Sequence, residues 1–288
     1  MSNHRLPADA GIGLRSCHYS HILETLPAIS WFEVLTENYM GDGGMPLYYL
    51  DKIRQHYPVS FHGVGMSLAS ADPLNMKYMN KLKAMINRFQ PLQVSDHLSW
   101  VSVKNRYAHE LLPFPYNKQT LNHLADKISA AQDYLGQSIL VENPSSYMSF
   151  NHSDISEVDF INQLVKRTGC QLLLDVNNIY VSAYNTSFDA SEYIAGIDKA
   201  QIAEVHLAGF EDRGDHYYDT HGSRVHEDVW KLYQQLISEA GAIPSLIEWD
   251  TDIPEFTELE EEANKAQAII DSLNNTKMNN RVAGQCIR

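Results

Sequence analysis

Cysteine is scarce: the 288 residues carry three, Cys17, Cys170 and Cys286, widely spaced and odd in number. That excludes a disulfide framework and a thiolate-rich zinc ribbon. It fits a reducing compartment, so a cytoplasmic location is expected. Basic residues are also few. Lys and Arg number 22 against 36 Asp and Glu, a formal charge of -14, which opposes holding nucleic acid by bulk charge. No apolar run reaches the roughly 18 residues a membrane span needs. Met1 to Arg15 carries no apolar signal-peptide core, so neither membrane insertion nor export is expected. No Ser/Gly linker or long low-complexity stretch divides the chain. A single domain over residues 1–275 is therefore expected, with a loose polar tail over 276–288. What the chain has in surplus is histidine, 13 of them, within an apolar content of 44% that suits a full core. With so little thiolate, any metal falls to His, Asp and Glu.

The apolar pattern alternates between two kinds of segment. Short apolar runs at residues 11–15, 31–36, 59–64, 92–98, 138–143, 171–176, 202–208 and 245–249 read as buried strands. Segments 74–89, 118–135, 158–168, 225–240 and 257–273 carry helical spacing between them. In the first, Met76, Met79, Leu82, Met85, Ile86 and Phe89 share one face; Gly136, Gly169 and Gly241 follow helix ends as C-caps. Eight strands, most followed by a helix, make an α/β chain and predict a (β/α)8 TIM barrel. An open doubly wound sheet would want a Gly-rich phosphate loop, and Gly11-Ile12-Gly13 lacks the third glycine and the following helix.

In such a barrel, chemistry gathers at the C-terminal ends of the strands. The third strand ends in Ser60-Phe61-His62-Gly63 and the fourth in Val94-Ser95-Asp96-His97. The fifth ends in Leu140-Val141-Glu142-Asn143-Pro144 and the sixth in Leu174-Asp175-Val176-Asn177-Asn178. The seventh gives Glu204-Val205-His206-Leu207, followed in the next loop by Asp219-Thr220-His221-Gly222, and the eighth gives Leu246-Ile247-Glu248-Trp249. One such residue alone is more often a satisfied polar group than a ligand. A succession of them converging on one mouth is different, because buried carboxylates are costly unless paired or bound to a cation. Glu142, Asp175 and Glu248 with His62, His97, His206 and His221 make an imidazole and carboxylate mix suited to iron, zinc or manganese. Asp175 and Asn178 are expected where strand six gives way to a loop. Asp219 and His221 are expected on one side of an extended segment.

The nine positions His62, His97, Glu142, Asp175, Asn178, His206, Asp219, His221 and Glu248 follow the order of the trinuclear metal site in endonuclease IV-like and xylose isomerase-like barrels. More closely, Phe61-His62-Gly63-Val64-Gly65, Ser95-Asp96-His97-Leu98-Ser99, Val141-Glu142-Asn143, Leu174-Asp175-Val176-Asn177-Asn178 and Asp219-Thr220-His221-Gly222 resemble the multinuclear non-heme iron-dependent oxidases that modify cysteines in ribosomally made peptides. That family includes the oxidase of methanobactin biosynthesis, and the likeness runs from Gly11 to about Ile270.

The resemblance implies two or three iron ions in mixed ferrous and ferric states, with dioxygen as co-substrate. It further implies a Cys-containing precursor peptide, a natural-product pathway and a small partner protein that binds the peptide leader. By analogy one metal takes His62, His97 and Glu142. A second takes Glu142, Asp175, His206 and Glu248. A third takes Asn178, Asp219 and His221, and binds more loosely because Asn stands where the endonuclease pattern has His. His62, Glu142, Asp175, Asp219 and His221 are the residues expected to carry catalysis.

Several residues stand beside this set. Asp96 is expected on the opposite strand face from His97, in a supporting role. Glu33 and Glu37 on the second strand could face the pocket. Asn143 and Asn177 are expected to hold neighbouring loops. Arg213, His216 and Arg224 lie in or near the long loop 211–224, open to substrate or solvent. The acidic tract Glu258-Leu259-Glu260-Glu261-Glu262 could attract a basic partner, although a solvated helix face is the commoner use. Cys17 and Cys170 are expected to pack rather than react. Rival functions on the same scaffold are a metal-dependent phosphodiesterase acting on DNA, which the charge opposes, a sugar isomerase, and a metal-binding protein without turnover.

Overall fold

The structure, a computed structural model, describes residues 5–104 and 106–285, with side chains taken as far as Leu273. The eight barrel strands are β1 (Ala10–Gly13), β2 (Phe32–Leu35), β3 (Val59–Gly63), β4 (Gln93–His97), β5 (Leu140–Glu142), β6 (Gln171–Asp175), β7 (Ile202–Leu207) and β8 (Ser245–Ile247). Each pairs in parallel with its sequence neighbours, and β8 closes on β1 through Ala10 opposite Ser245. The expected TIM barrel is the observed one.

Around it lie α1 (Tyr19–Thr25), α2 (Met45–Ile53), α3 (Met76–Phe89), α4 (Lys118–Leu135), α5 (Glu157–Thr168), α6 (Val176–Thr186), α7 (Ala190–Gly196), α8 (Glu227–Ala240) and α9 (Phe256–Gln285). The local chemistry accounts for their ends. The Asn75 side chain accepts from the Lys77 and Tyr78 amides to start α3, Asn117 accepts from Thr120 to start α4, and Ser156 accepts from Asp159 to start α5. Gly136 closes α4 at a φ of 79°, a left-handed turn that a side chain would disfavour. The buried stripe of α3 is Met79, Leu82, Met85 and Phe89; Met76, placed on the same face by its spacing, is exposed at the helix start. The last helix reaches Gln285, so the backbone of much of the expected loose tail is helical; residues 286–288 lie outside the described residues.

Strand alternation divides the molecule into two chemistries. Phe61, Val94, Val141, Leu172, Leu174, Val205 and Leu207 belong to the apolar core between strands and helices. Fully burying each large side chain there contributes roughly 1.5–3 kcal/mol. Side chains one residue away point to the barrel axis, and these are the polar ones: Ser60, His62, Ser95, His97, Glu142, Asp175, Glu204 and His206, all buried. Two antiparallel ribbons decorate the mouth, one from Trp100–Val103 and Arg106–Leu112, the other from Glu211–Asp212 and Tyr217–Tyr218 inside the expected long loop. Among the described residues, no helix is long and apolar enough to cross a membrane.

Candidate metal centre

The ends of β3, β4 and β5 bring His62, His97 and Glu142 together. Both His62 Nε2 and His97 Nε2 stand 3.1 Å from Glu142 Oε2. The remote ring nitrogens fix which nitrogen faces inward. His97 Nδ1 lies 3.0 Å from the Gly63 carbonyl, which can only accept, so Nδ1 carries the proton and Nε2 offers its lone pair. His62 Nδ1 lies 2.8 Å from Ser95 Oγ, and that hydroxyl donates its own proton to the Phe61 carbonyl. His62 Nδ1 is therefore the donor, and Nε2, turned to Glu142, is the nitrogen a metal would take in place of a proton. Partners of this kind orient metal-binding histidines.

A second group joins Glu142 to Asp175, His206 and Glu248, with ligand atoms all within 4.8 Å of one another. His206 Nδ1 is 2.9 Å from Glu248 Oε2 and 4.0 Å from Glu142 Oε1. Its Nε2 turns down the barrel to Glu33 Oε2 at 3.2 Å. Asp175 corrects one expectation. No loop follows β6: α6 begins at once, and Asp175 is its N-cap, accepting from the Asn178 amide at 2.6 Å through Oδ1. Oδ2 is left facing the mouth. Asn143 brackets this junction, donating to the Asp175 carbonyl and accepting from the Asp175 amide, both at 2.9 Å.

His221 sits between acids on both ring nitrogens. Nε2 is 2.7 Å from Asp219 Oδ1, and Nδ1 is 3.1 Å from Glu248 Oε2 and 3.4 Å from Asp250 Oδ2. Its backbone is not extended: a φ of 44° puts it in the left-handed region, a local cost that recurs at functional sites. The proximity of Asp219 and His221 was anticipated; the extended geometry was not the cause. Asp219 is held by Ser145 Oγ at 2.9 Å and Asn177 Nδ2 at 2.8 Å, while its amide donates to the Tyr147 hydroxyl. Asn178 turns its amide nitrogen to the Asn143 carbonyl at 3.1 Å and to Glu142 Oε1 at 3.4 Å.

The donor set fits a metal on a specific observation. Among the described residues, Asp175 Oδ2 and Asn178 Oδ1 are buried with no hydrogen bond. His62 Nε2, Glu142 Oε2 and His221 Nε2 are met only at ion-pair distance, His62 and His97 against Glu142 and His221 against Asp219, without hydrogen-bond geometry, though buried polar atoms are nearly always paired. The electrostatics agree. Burial lowers the His62 pKa, but Glu33 and Glu142 outweigh it and hold the ring's pKa up at about 10. His206 and His221 are also pushed well above the ordinary imidazole range, against their burial, by Glu33 and Glu248 and by Asp219 and Glu248 respectively. Burial, with the nearby charges of Glu142 and Asp219, drives Asp175 well upward against His221 and His206. Protons on these histidines do what a cation would do, neutralise a carboxylate cluster in a dry setting.

Residues beyond the expected nine contribute. Glu33 supports His206 as above, and Ser60 Oγ links Glu33 Oε2 at 3.2 Å to Glu204 Oε1 at 3.4 Å. Glu204 shares the inward face of β7 with His206 two residues on, a period that strand alternation makes readable. Asp250 lies just beyond β8 and had no strand-end signal. Glu37 is not on β2 but in the short turn after it, where it accepts from the Val64 amide and the Tyr78 hydroxyl. Asp96 lies off the barrel axis as anticipated, accepting from the Met66 and His97 amides. Arg224 reaches Glu258, Glu261 and Glu262, so the acidic tract is in part engaged within the chain. Arg213 pairs with Glu211 and lies over Tyr218, and His216 pairs with Asp215. Cys170 is buried with its thiol pushed up to about 11 by desolvation, whereas Cys17 is exposed rather than packed; Cys286 lies outside the described residues.

A closed barrel with histidines and carboxylates converging at its C-terminal mouth defines a xylose isomerase-like barrel with a candidate metal centre. Solved structures that share that fold include a xylose isomerase domain containing protein of Salmonella typhimurium (TM-score 0.61, 15% identity, covering 91% of this chain and 97% of that one) and endonuclease IV of Thermus thermophilus (TM-score 0.57, 14% identity, covering 92% and 99%). At such identity they speak for the fold alone. In sequence, UPF0276 proteins of Acaryochloris marina and Psychromonas ingrahamii are 49% and 44% identical, each match covering 91% of this chain and 94% of the relative. Residues 9–271 match the family described as RiPP precursor modification enzyme MbnB/TglH/ChrH, and the chain belongs to that family. It is thus a barrel enzyme of peptide modification.

Proposed function

We propose that this protein is a multinuclear iron-dependent oxidase that uses dioxygen to modify cysteine residues of a ribosomally synthesised precursor peptide. The observation that carries the metal is the set of buried imidazole, carboxylate and amide atoms at the mouth that lie in no hydrogen bond of good geometry. The peptide follows from the family. His62, His97 and Glu142 would hold one ion, Glu142, Asp175, His206 and Glu248 a second, and Asn178, Asp219 and His221 a third. Nitrogen and oxygen donors without thiolate suit iron.

Iron held by these residues would supply the redox chemistry with dioxygen. The protein's own residues do the rest. Ser95 and the Gly63 carbonyl hold a proton on the outer nitrogens of His62 and His97, which leaves the inward nitrogens as the ones a metal would take. Glu33 keeps a proton on His206 Nε2, leaving Nδ1 for the metal side. Glu142 offers one carboxylate oxygen to each of two groups, which suits a bridging role. Asn143 and the start of α6 hold Asp175, and Ser145 and Asn177 hold Asp219. A four-electron oxidation of a cysteine balances reduction of one dioxygen to two waters. The family resemblance also supports a small leader-binding partner protein.

The test is anaerobic iron loading, followed by oxygen, a Cys-containing precursor peptide and a small leader-binding partner protein. Oxygen uptake with a peptide mass loss of four hydrogens, or the mass of a rearranged product, is expected. No uptake and no mass change in the complete system would overturn the reading. Stoichiometric metal binding without product would make the protein a metal carrier instead.

A further inference from the structure

The loop between β5 and α5 has two jobs. At Ser145 and Tyr147 it is tied to Asp219, beside the candidate metal centre. At Ser146, Met148, Ser149 and Phe150 it walls a cavity of about 420 Å³ that lies outside that centre. The other walls are largely apolar: Phe114 from the stretch before α4, Val158 of α5, and Phe188 before α7. A second cavity of about 730 Å³ continues from it across Pro113, Phe114, Met148 and Phe150 towards Trp100 and His123. Together they form one groove along the rim of the barrel mouth.

The polar end of the first cavity is Glu157, the first residue of α5. Tyr193 donates to its Oε1 at 2.9 Å, and the Tyr116 hydroxyl stands on it as well. Burial raises this carboxyl to about 7, against those two phenols, and among the described residues it forms no ion pair, so a cation placed beside it would stabilise its charged form. Asp189 and Glu192 line the same cavity, and among the described residues neither Lys nor Arg lines either cavity. The shape is an apolar channel with a single-sign end. A long aliphatic stem ending in a cation matches it, because the stem buries along the apolar wall while the head pairs with the acid.

We propose that this groove binds an extended peptide segment and that Glu157 receives the Lys or Arg side chain of that segment. It specifies a binding site separate from the metal ligands, and it rests on the peptide-modifying reading only for the nature of its occupant. Because one loop borders both groove and Asp219, a peptide seated there lies beside the mouth where its neighbouring residues react.

The test uses the full chain as purified and fluorescein-labelled octapeptides of Leu, Ala and Gly with a central Arg, norleucine or Glu, followed by fluorescence anisotropy. The Arg peptide is expected to bind about tenfold more tightly than the norleucine peptide, with the Glu peptide weakest. Glu157→Gln should erase the preference for Arg over norleucine. Met148→Lys changes an exposed residue at the junction of the two cavities, so folding is not at issue, and should weaken the Arg peptide more than the norleucine one. Equal binding of the three peptides, no binding at all, or an Arg preference that survives both variants would overturn the proposal. Iron loading and oxygen uptake do not enter this readout. Loss of the Arg preference therefore leaves the oxidase reading standing, and loss of turnover leaves the groove standing.

Discussion

The two ends of the barrel interior are built on opposite terms. At the N-terminal end, Leu6, Trp31 and Leu246 form a small apolar cluster. Trp31 occupies the space a side chain at Gly11 would need, since a Cβ there would stand 2.4 Å from its ring. Its one polar atom, Nε1, donates to the Asp9 carbonyl at 3.0 Å. That end is complete within the chain. At the C-terminal end, a few strand residues away, Asp175 Oδ2 and Asn178 Oδ1 make no hydrogen bond among the described residues, and His62, Glu142 and His221 meet their neighbours only as ion pairs without hydrogen-bond geometry. Between them, Ser60, Glu33, Glu204 and Gln93 form a linked polar layer, with Gln93 Nε2 donating to Glu204 Oε2 at 3.0 Å. Packing alone satisfies one end, and the other needs something added. The barrel is a scaffold closed below and left chemically open above.

The sharpest break of that contrast is Glu142→Gln. Glu142 belongs to two of the candidate ligand groups. Metal affinity is expected to fall by more than about 100-fold, beyond the range seen for outer partners of ligands, and turnover with it. Metal analysis and oxygen uptake check this, with fold retained by circular dichroism. Trp31→Ala tests the other end. Chemical denaturation should show a loss of about 3–5 kcal/mol from the cavity it leaves, with metal content per folded molecule unchanged. If that variant also lost metal, the two ends would not be independent.

Metal removal asks whether the open end depends on its cation. Chelation should lower stability by about 2.7 kcal/mol if the metal had been present at 100 times its dissociation constant. In the metal-free protein the sign with pH follows from His62. Its folded pKa, about 10, lies above the ordinary imidazole value of 6.5. The stability it contributes is complete below about pH 6.5 and is lost as pH rises towards 10. Melting temperatures of the metal-free protein should fall across that window, while the loaded protein, whose imidazoles are occupied by metal, should vary less. The smallest effect is expected from Glu33→Gln, in the layer between the ends. It keeps the volume but weakens the hold on His206 Nε2, and metal affinity should fall about 10- to 100-fold with a changed metal absorption spectrum. An unchanged spectrum and affinity would make Glu33 part of the closed end.

Much of this was legible in the residues. The eight apolar runs align with the eight strands to within a residue or two at each end, because parallel strands buried on both faces leave near-continuous apolar runs. Period-two alternation also made the inward face readable: Val141 faces the helices and Glu142 the axis. The ribbon Trp100–Val103 with Arg106–Leu112 was not read. Its residues are half exposed and pack on no continuous core, so no periodic apolar signal marks them. The start of α6 has no signal of its own for a related reason: Asp175 serves at once as strand end and helix cap, and nothing in its neighbours distinguishes the two.

The sequence by itself determined the barrel, the family and which strand ends carry imidazoles and carboxylates, because periodicity and residue type are local properties. Tertiary structure alone decided which nitrogen of His62, His97 and His206 faces inward, that Glu33, Glu204 and Asp250 join the cluster, and that Glu157 ends an apolar groove beside it. Those depend on groups far apart in the chain, such as Glu33 and His206, meeting across the barrel axis. The physical reason is that hydrogen-bond partners fix a ring's tautomer and a carboxylate's charge, and barrel closure supplies those partners.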